Sequence, residues 1–337
     1  MATIYDIAKK TGFSPPTVSK ALNGAGTLSD KTRDLINNTA KEMGYVPNLT
    51  AWTLSTRRSR LIGIINKDIY LTNAFIPPIF NNILGGFKEV METEGYDLLM
   101  LSNSRELHPG GNYRNIDAFL IFTAPAAREC HILRETRRPC ISTNDIIPGI
   151  STVITGNYEG AVEAVQYLVD LGHRHIAYIA GPETEVSTAS AERFQGYRVC
   201  LEKNSIPYEE GLTEKAELWS AQGGYEAAKR LLCRTPRHKR SFSALFACSD
   251  NLAYGAIRAL READFRLPED ISIIGFDGDL LCEYTSPTLT TMRQNSLLIG
   301  KTAAELLLEK LAGGECPDFT RIKAELVVRE SCCAPQF

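Results

Sequence analysis

The sequence predicts an all-α helix-turn-helix head over residues 1–46, followed by an α/β body of two lobes over 61–331. Three observations carry this reading. Residues 14–23, Ser-Pro-Pro-Thr-Val-Ser-Lys-Ala-Leu-Asn, describe a short capped helix with one apolar seam. The first 60 residues carry nine Lys/Arg against four Asp/Glu, net +5, which leaves −8 for the rest of a chain whose overall charge is −3. From Leu61 onward, short apolar runs alternate with amphipathic stretches, the pattern of a parallel sheet covered on both faces.

Thr3 opens the first helix as a variant capping box with Asp6 three residues on, and Ile4, Ile7 and Ala8 face inward. Thr11-Gly12-Phe13 ends it. Ser14 caps the second helix, Pro15 sits where a missing N–H costs nothing, and Val18 and Leu22 form the seam. Its other face offers Thr17, Ser19 and Lys20, small or cationic groups suited to phosphates and base edges. Taken alone, these ten residues better describe an ordinary capped surface helix, and their neighbours change that weighting. Asn23-Gly24-Ala25-Gly26 reads as a loop, and a third helix starts at Ser29 or Asp30 with Leu35, Ile36, Ala40 and Met43 inward and Gly44 as its C′ glycine. Residues 47–60 read as a joint: Pro47-Asn48 can break one helix and cap another of one to two turns, too short to be stable alone in water.

At 337 residues, the chain exceeds what one hydrophobic core usually supports. A basic head on an acidic body suits a head that docks on a polyanion. The nine cysteines are scattered and odd in number, which points to a reduced, cytoplasmic setting. The N-terminus lacks a cationic-then-apolar signal, and no apolar run approaches the roughly 18–20 residues that span a bilayer, so no membrane partner is expected. Cys332 and Cys333 fall in a tail, 332–337, read as a disordered end, with a thiol sensor as the alternative.

Ile-Tyr-Asp-Ile-Ala (4–8), Thr-Val-Ser-Lys-Ala-Leu-Asn (17–23) and Gly-Tyr-Val-Pro-Asn (44–48) together resemble the lactose/galactose repressor family of bacterial transcriptional regulators. The resemblance implies a homodimer on double-stranded operator DNA, with Pro15, Pro16 and Lys20 at base-reading positions and Thr17 and Ser19 near the backbone. It adds Thr3, Tyr5, Ser14, Asn23, Tyr45, Asn48 and Ala51 to the DNA-contacting set, and gives Leu54 the role of a minor-groove wedge that kinks the duplex. The two prolines depart from relatives with polar side chains there. They leave only apolar contact, for instance to thymine methyls.

In the body, 61–65, 97–101, 119–122 and 140–143 read as strands of one lobe, and 175–180, 244–248 and 271–276 as strands of the other. The chain then crosses back through 290–294 into a helix carrying Ile299, Ala303, Leu306, Leu307 and Leu311. The first lobe is assigned about 61–156 and 290–319, the second about 157–287 and 320–331. Leu-Gly-His-Arg-His-Ile-Ala (171–177) and Gly-Phe-Asp (275–277) extend the resemblance to the family's periplasmic-binding-protein-like core, in which ligands bind at strand carboxyl ends between the lobes. Residues 102–115 hold Pro109-Gly110-Gly111 and are too short for the helix relatives carry there.

For the effector, the resemblance implies Arg193 as the fork on ligand oxygens, Asp277 as the acceptor opposite, Trp219 as a stacking ring, Phe75 at the cleft mouth, and Ser249 and Gln294 completing the set. This is chemistry for a small sugar-like molecule: planar donors and a carboxylate satisfy vicinal hydroxyls. No metal or cofactor is expected. His173 and His175 lack a carboxylate or cysteine companion, Asp277 and Asp279 are too few for a calcium loop, and no Walker loop, G-x-S-x-G elbow or strand-borne G-x-G-x-x-G occurs. The competing readings are an α/β enzyme with Asp277 as base, for which no nucleophile pair emerges, and a transport-type sugar receptor.

Overall fold

The computed structural model describes residues 2–22, 27–45, 59–66, 78–101, 115–122, 127–182, 188–234 and 241–336, which belong to two compact units, 1–60 and 61–337. In the first, α1 (Ile4–Thr11), α2 (Pro15–Leu22) and α3 (Asp30–Glu42) enclose a small core of Ile7, Ala8, Val18, Ala21, Ile36 and Ala40. Thr3 and Asp6 close a reciprocal capping box, with Thr3 N donating to Asp6 Oδ2 at 2.8 Å and Asp6 N to Thr3 Oγ1 at 3.3 Å. Gly12 and Gly44 end α1 and α3 at φ +76° and +60°, where a side chain would be strained.

Leu35, expected to face inward, turns outward. It is exposed, and buried Thr39 takes the inner position instead, its hydroxyl bonded back to the Leu35 carbonyl at 2.8 Å. Ile36 and Ala40 are the inward pair. Leu35 lies a further 100° around the helix and cannot share their face.

The second unit holds two six-stranded sheets. The first runs β11 (Phe319–Ile322), β5 (Ser151–Thr155), β4 (Cys140–Ser142), β3 (Ala118–Ile121), β1 (Leu61–Ile65), β2 (Asp97–Leu101), all parallel. The second runs β12 (Glu325–Val327), β10 (Thr290–Arg293), β9 (Ser272–Asp277), β8 (Ala244–Ala247), β6 (Ile176–Ala180), β7 (Thr213–Lys215), parallel except for β12. Strands β3, β5 and β8 are buried along their whole length, as a sheet with helices on both faces requires.

Residues 290–294 do not join the first lobe as expected. Thr290 and Thr291 pair in register with Ile274 and Gly275, and Leu289 and Met292 pack into the second lobe's core, so the crossing follows Arg293. The helix beyond it, α10 (Ser296–Leu311), puts Ile299, Ala303 and Leu307 into the first lobe's core. The expected boundary at 319/320 also cuts a strand: β11 lies wholly in the first sheet, with Phe319 opposite Thr152. The final crossing falls between β11 and β12. A short run such as Thr-Thr-Met-Arg has no preference for either sheet, and hydrogen-bond pairing decides its place.

The tail is tied down. Ile273 N donates to Ser331 O at 2.7 Å, Cys333 N to Ser272 Oγ at 3.0 Å, and His173 bridges Ser243 Oγ (2.8 Å) and Cys333 O (2.9 Å). Burial pushes the Cys332 thiol up to about 12, which makes it a poor sensor. Residues 102–114 and the Pro-Gly-Gly they contain lie outside the described residues.

Helix α4 (Pro78–Thr93) crosses α10 closely because both carry glycine at the contact. A Cβ on Gly86 would stand 2.1 Å from Leu297 O, and one on Gly300 would stand 2.0 Å from Ile83 O. Backbone against backbone cannot yield by a rotamer change. Gly300→Ala should therefore cost about 1–3 kcal/mol in denaturant unfolding, whereas alanine at Gly149, whose built Cβ meets nothing within 4 Å, carries only the backbone cost of its positive φ.

Candidate functional site

Helix α7 (Thr188–Lys203) delivers Arg193 to the carboxyl ends of the second sheet, where it is only 4% exposed. Its Nε donates to Asn157 Oδ1 at 2.9 Å, and Nη1 donates to Cys248 O at 2.6 Å and Asp277 Oδ1 at 3.4 Å. The guanidinium lies 3.7 Å from the centroid of Phe276, so its face meets an aromatic while its edge meets oxygens. Asp277 ends β9 at φ +139°, a conformation disfavoured for any L side chain, and Gln294 N returns a bond to its carbonyl at 3.0 Å. Gln294 Nε2 donates to Asp277 Oδ1 at 2.6 Å, and Thr155 Oγ1 donates to Gln294 Oε1, which links the last residue of β5 in the first lobe to the crossing segment. Burial raises the Asp277 carboxyl above the usual carboxylate range, while Arg193 pulls it back.

Arg193, Asp277 and Gln294 thus form one bonded group. Trp219 is half-buried at the same end of the sheet. A Cβ on Gly181, just past β6, would fall 2.2 Å from Trp219 Cη2, so glycine there is what admits the indole. Ser249 is used differently: its buried hydroxyl accepts the Leu252 amide at 3.3 Å and caps α9 (Asp250–Glu262). Phe75 lies outside the described residues.

Besides Thr155, sequence reasoning missed three cleft groups. Asn157, at the start of α6 (Asn157–Asp170), holds the Arg193 Nε, while Thr143 and Asn144 follow β4 at the opposite wall. The Thr143 hydroxyl is buried with no hydrogen-bond partner among the described residues. A signal existed, since both segments lie within two residues of a strand's carboxyl end, where ligands bind in such folds. With Thr155, Arg193 and Gln294 they line a cleft whose apolar walls include Ile79, Ile83 and Ile299.

In the head, Thr3 and Ser14 serve as caps, the latter bonded to Thr17 Oγ1 at 2.8 Å. Pro15, Thr17 and Ser19 are half-buried on α2, Tyr45 is half-buried against the head's core, and Tyr5, Pro16 and Lys20 are exposed. Asn23, Asn48, Ala51 and Leu54 lie outside the described residues. His173 spends both ring nitrogens inside the protein, and His175 faces Glu209 at 3.3 Å.

A three-helix head joined to two α/β lobes with a polar cleft between them defines a ligand-responsive DNA-binding transcriptional regulator. Residues 3–48 match the profile of bacterial regulatory proteins of the lacI family, and 165–332 match a periplasmic binding protein-like domain. The HTH-type transcriptional regulator CelR of Thermobifida fusca is 30% identical with 98% of both chains covered, and the repressor PurR of Mannheimia succiniciproducens is 28% identical, again over 98% of each. Among solved structures, a Lac repressor dimer bound to operator and an anti-inducer superposes with TM-score 0.82 at 26% identity over 99% of each chain. A CelR–cellobiose complex gives 0.73 at 28%, covering 98% of this chain and 100% of that one. The chain belongs to the LacI family of bacterial regulators. These relatives are regulators rather than enzymes, and the catalytic reading of the cleft falls with that membership.

One further contact joins the lobes. Arg321 on β11 forks onto Glu192 of α7, Nη1 to Oε2 at 2.8 Å and Nη2 to Oε1 at 2.7 Å. Glu192 immediately precedes Arg193, so neighbouring residues of one helix bind the opposite lobe and the cleft. A partly exposed pair of this geometry is worth on the order of 1 kcal/mol. Arg321→Gln should raise the open fraction of the two lobes a few-fold, seen as a larger radius of gyration in solution scattering. An unchanged scattering curve would show that the pair does not set the balance.

Proposed function

We propose that this regulator is a cytoplasmic repressor that binds a pseudo-palindromic operator as a homodimer, its affinity controlled by a small sugar-like effector between the lobes. The observation that carries the effector assignment is the bonded group of Arg193, Asp277 and Gln294. Fork donors, a carboxylate acceptor and an amide meet there at the strand ends, the complement that adjacent hydroxyls need. Trp219 would cover the C–H face of the ring, Phe75 the mouth, and Ser249 would contribute through the cap it makes. The cellobiose bound by the similar CelR supports a sugar over other polyols.

The DNA assignment is supported by the basic head, by exposed Tyr5, Pro16 and Lys20, and by the family's operator-bound Lac repressor. Thr3, Ser14, Pro15, Thr17, Ser19 and Tyr45 frame that surface; Asn23, Asn48, Ala51 and the Leu54 wedge complete the proposed contacts from the sequence alone. The dimer is supported by Leu280, Leu281 and Tyr284, large side chains 66%, 47% and 76% exposed within five residues of the second lobe. Among the described residues no helix is long and apolar enough to cross a membrane. An effector that prefers one lobe arrangement would shift the balance between arrangements. The short helix predicted in the joint, marginal by itself, would respond through its operator contact.

Operator affinity should fall steeply between about 50 and 200 mM salt, because the head displaces counterions from phosphates. Lys20→Ala should cost roughly 1–3 kcal/mol and blur one base preference in a binding-site selection. A flat salt response would remove the DNA assignment. For the effector, a thermal-shift screen of mono- and disaccharides, cellobiose first, should raise the melting temperature of the wild type and leave Arg193→Ala unmoved. Arg193→Ala should still bind operator. Equal sugar response in both proteins would displace the site from Arg193.

A further inference from the structure

Asp250 opens helix α9, and its side chain is 1% exposed. A carboxylate so buried is tolerated only when its lone pairs are filled. The donors that fill them come from beyond Asp277: Thr291 Oγ1 at 2.6 Å on Oδ1, and the Asp279 amide at 2.8 Å and the Cys282 thiol at 3.2 Å on Oδ2. Thr291 Oγ1 also accepts the Gly278 amide at 3.3 Å, so both amides after Asp277 lead back to the same carboxylate. The side chain reaches them by passing over Gly275, where a Cβ would stand 2.2 Å from Asp250 Oδ1. Burial raises the Asp250 pKa, and the hydrogen bonds from Thr291 and Asp279 oppose it.

An acid in the first turn of a helix commonly serves that helix's own amides. Here Ser249 already caps α9, and the partners found for Asp250 are Thr291 on β10 and, in the segment after β9, Asp279 and Cys282. That segment needs holding: Asp277 sits at φ +139° and Gly278 at +77°, a turn that persists only where its surroundings over-determine it. The Asp277 carboxylate, in turn, meets Arg193 and Gln294 only while that turn keeps its shape.

We propose that Asp250 is a positioning residue of the effector site, a buried clamp on the 277–279 turn that aims the Asp277 carboxylate into the cleft. The proposal rests on the reading of Asp277 as the effector's acceptor. Its chemistry requires a carboxylate. Asparagine has the same shape but offers one oxygen, and turns an NH2 toward groups that are themselves donors.

The test is amide hydrogen exchange on the full chain in Asp250→Asn and Thr291→Val, with β8 as the reference for global opening. Local loosening should speed exchange at Gly278 and Asp279 by roughly tenfold while β8 stays within about twofold of wild type. Unchanged exchange in the turn, or a rise that only tracks β8, overturns the clamp. If Asp250→Asn does not fold, Thr291→Val decides, since it removes one hydroxyl and keeps the side chain's shape. Cellobiose titration by calorimetry on the same proteins separates the two layers. Binding by wild type that weakens several-fold in Thr291→Val supports positioning, and equal binding in both overturns it. Local loosening in a chain that binds no cellobiose upholds the clamp and counts against the sugar assignment alone.

Discussion

A buried guanidinium must have its donors met, and in this protein that demand organises the core of the regulator. Arg193 reaches Asn157 from the first turn of one helix, Cys248 from the end of one strand and Asp277 from the end of another. Three segments far apart in the chain are therefore held at one point. Removing any one oxygen would leave a buried cation short of an acceptor, which costs more than the bond itself is worth. The site is consequently stiff on the second-lobe side. Among the described residues, the lobes are bonded to each other through Thr155 to Gln294 and Arg321 to Glu192.

The strand ends supply the rest. Parallel strands deliver their carboxyl ends to one edge, so whatever follows β4, β5, β8, β9 and β10 is brought to the cleft without a dedicated loop. Glycines make room at this edge: Gly181 admits the Trp219 ring and Gly275 the Asp250 carboxylate. Each would be obstructed by a single methyl group.

The head obeys a different economy. Among the described residues its core has six buried apolar side chains and three side-chain caps, Thr3, Ser14 and Ser29, enough to define three helices and little more. Its outward residues are thereby left for recognition. Prolines in the first turn of α2 cost nothing in helix hydrogen bonding and present apolar surface where side-chain donors would otherwise stand.

Much of this was legible in the chain before folding. Local rules settle local structure, so the capping box at Thr3 and Asp6, the Ser14 start, the Gly12 and Gly44 stops and the apolar strand runs could all be read from neighbouring residues. The family motifs carried Arg193, Asp277 and Gln294, and the three do converge. The sequence did not reveal which sheet takes 290–293 or 319–322, since short strands are sorted by pairing partners remote in the chain. Nor did it reveal that Ser331 and Cys333 anchor the tail, that Leu35 turns outward, that Thr143 and Asn157 face the cleft, or that Asp250 serves Asp279 and Thr291 rather than its own helix. Those depend on which donors and acceptors burial brings within about 3 Å of each other, and only the tertiary structure decides that.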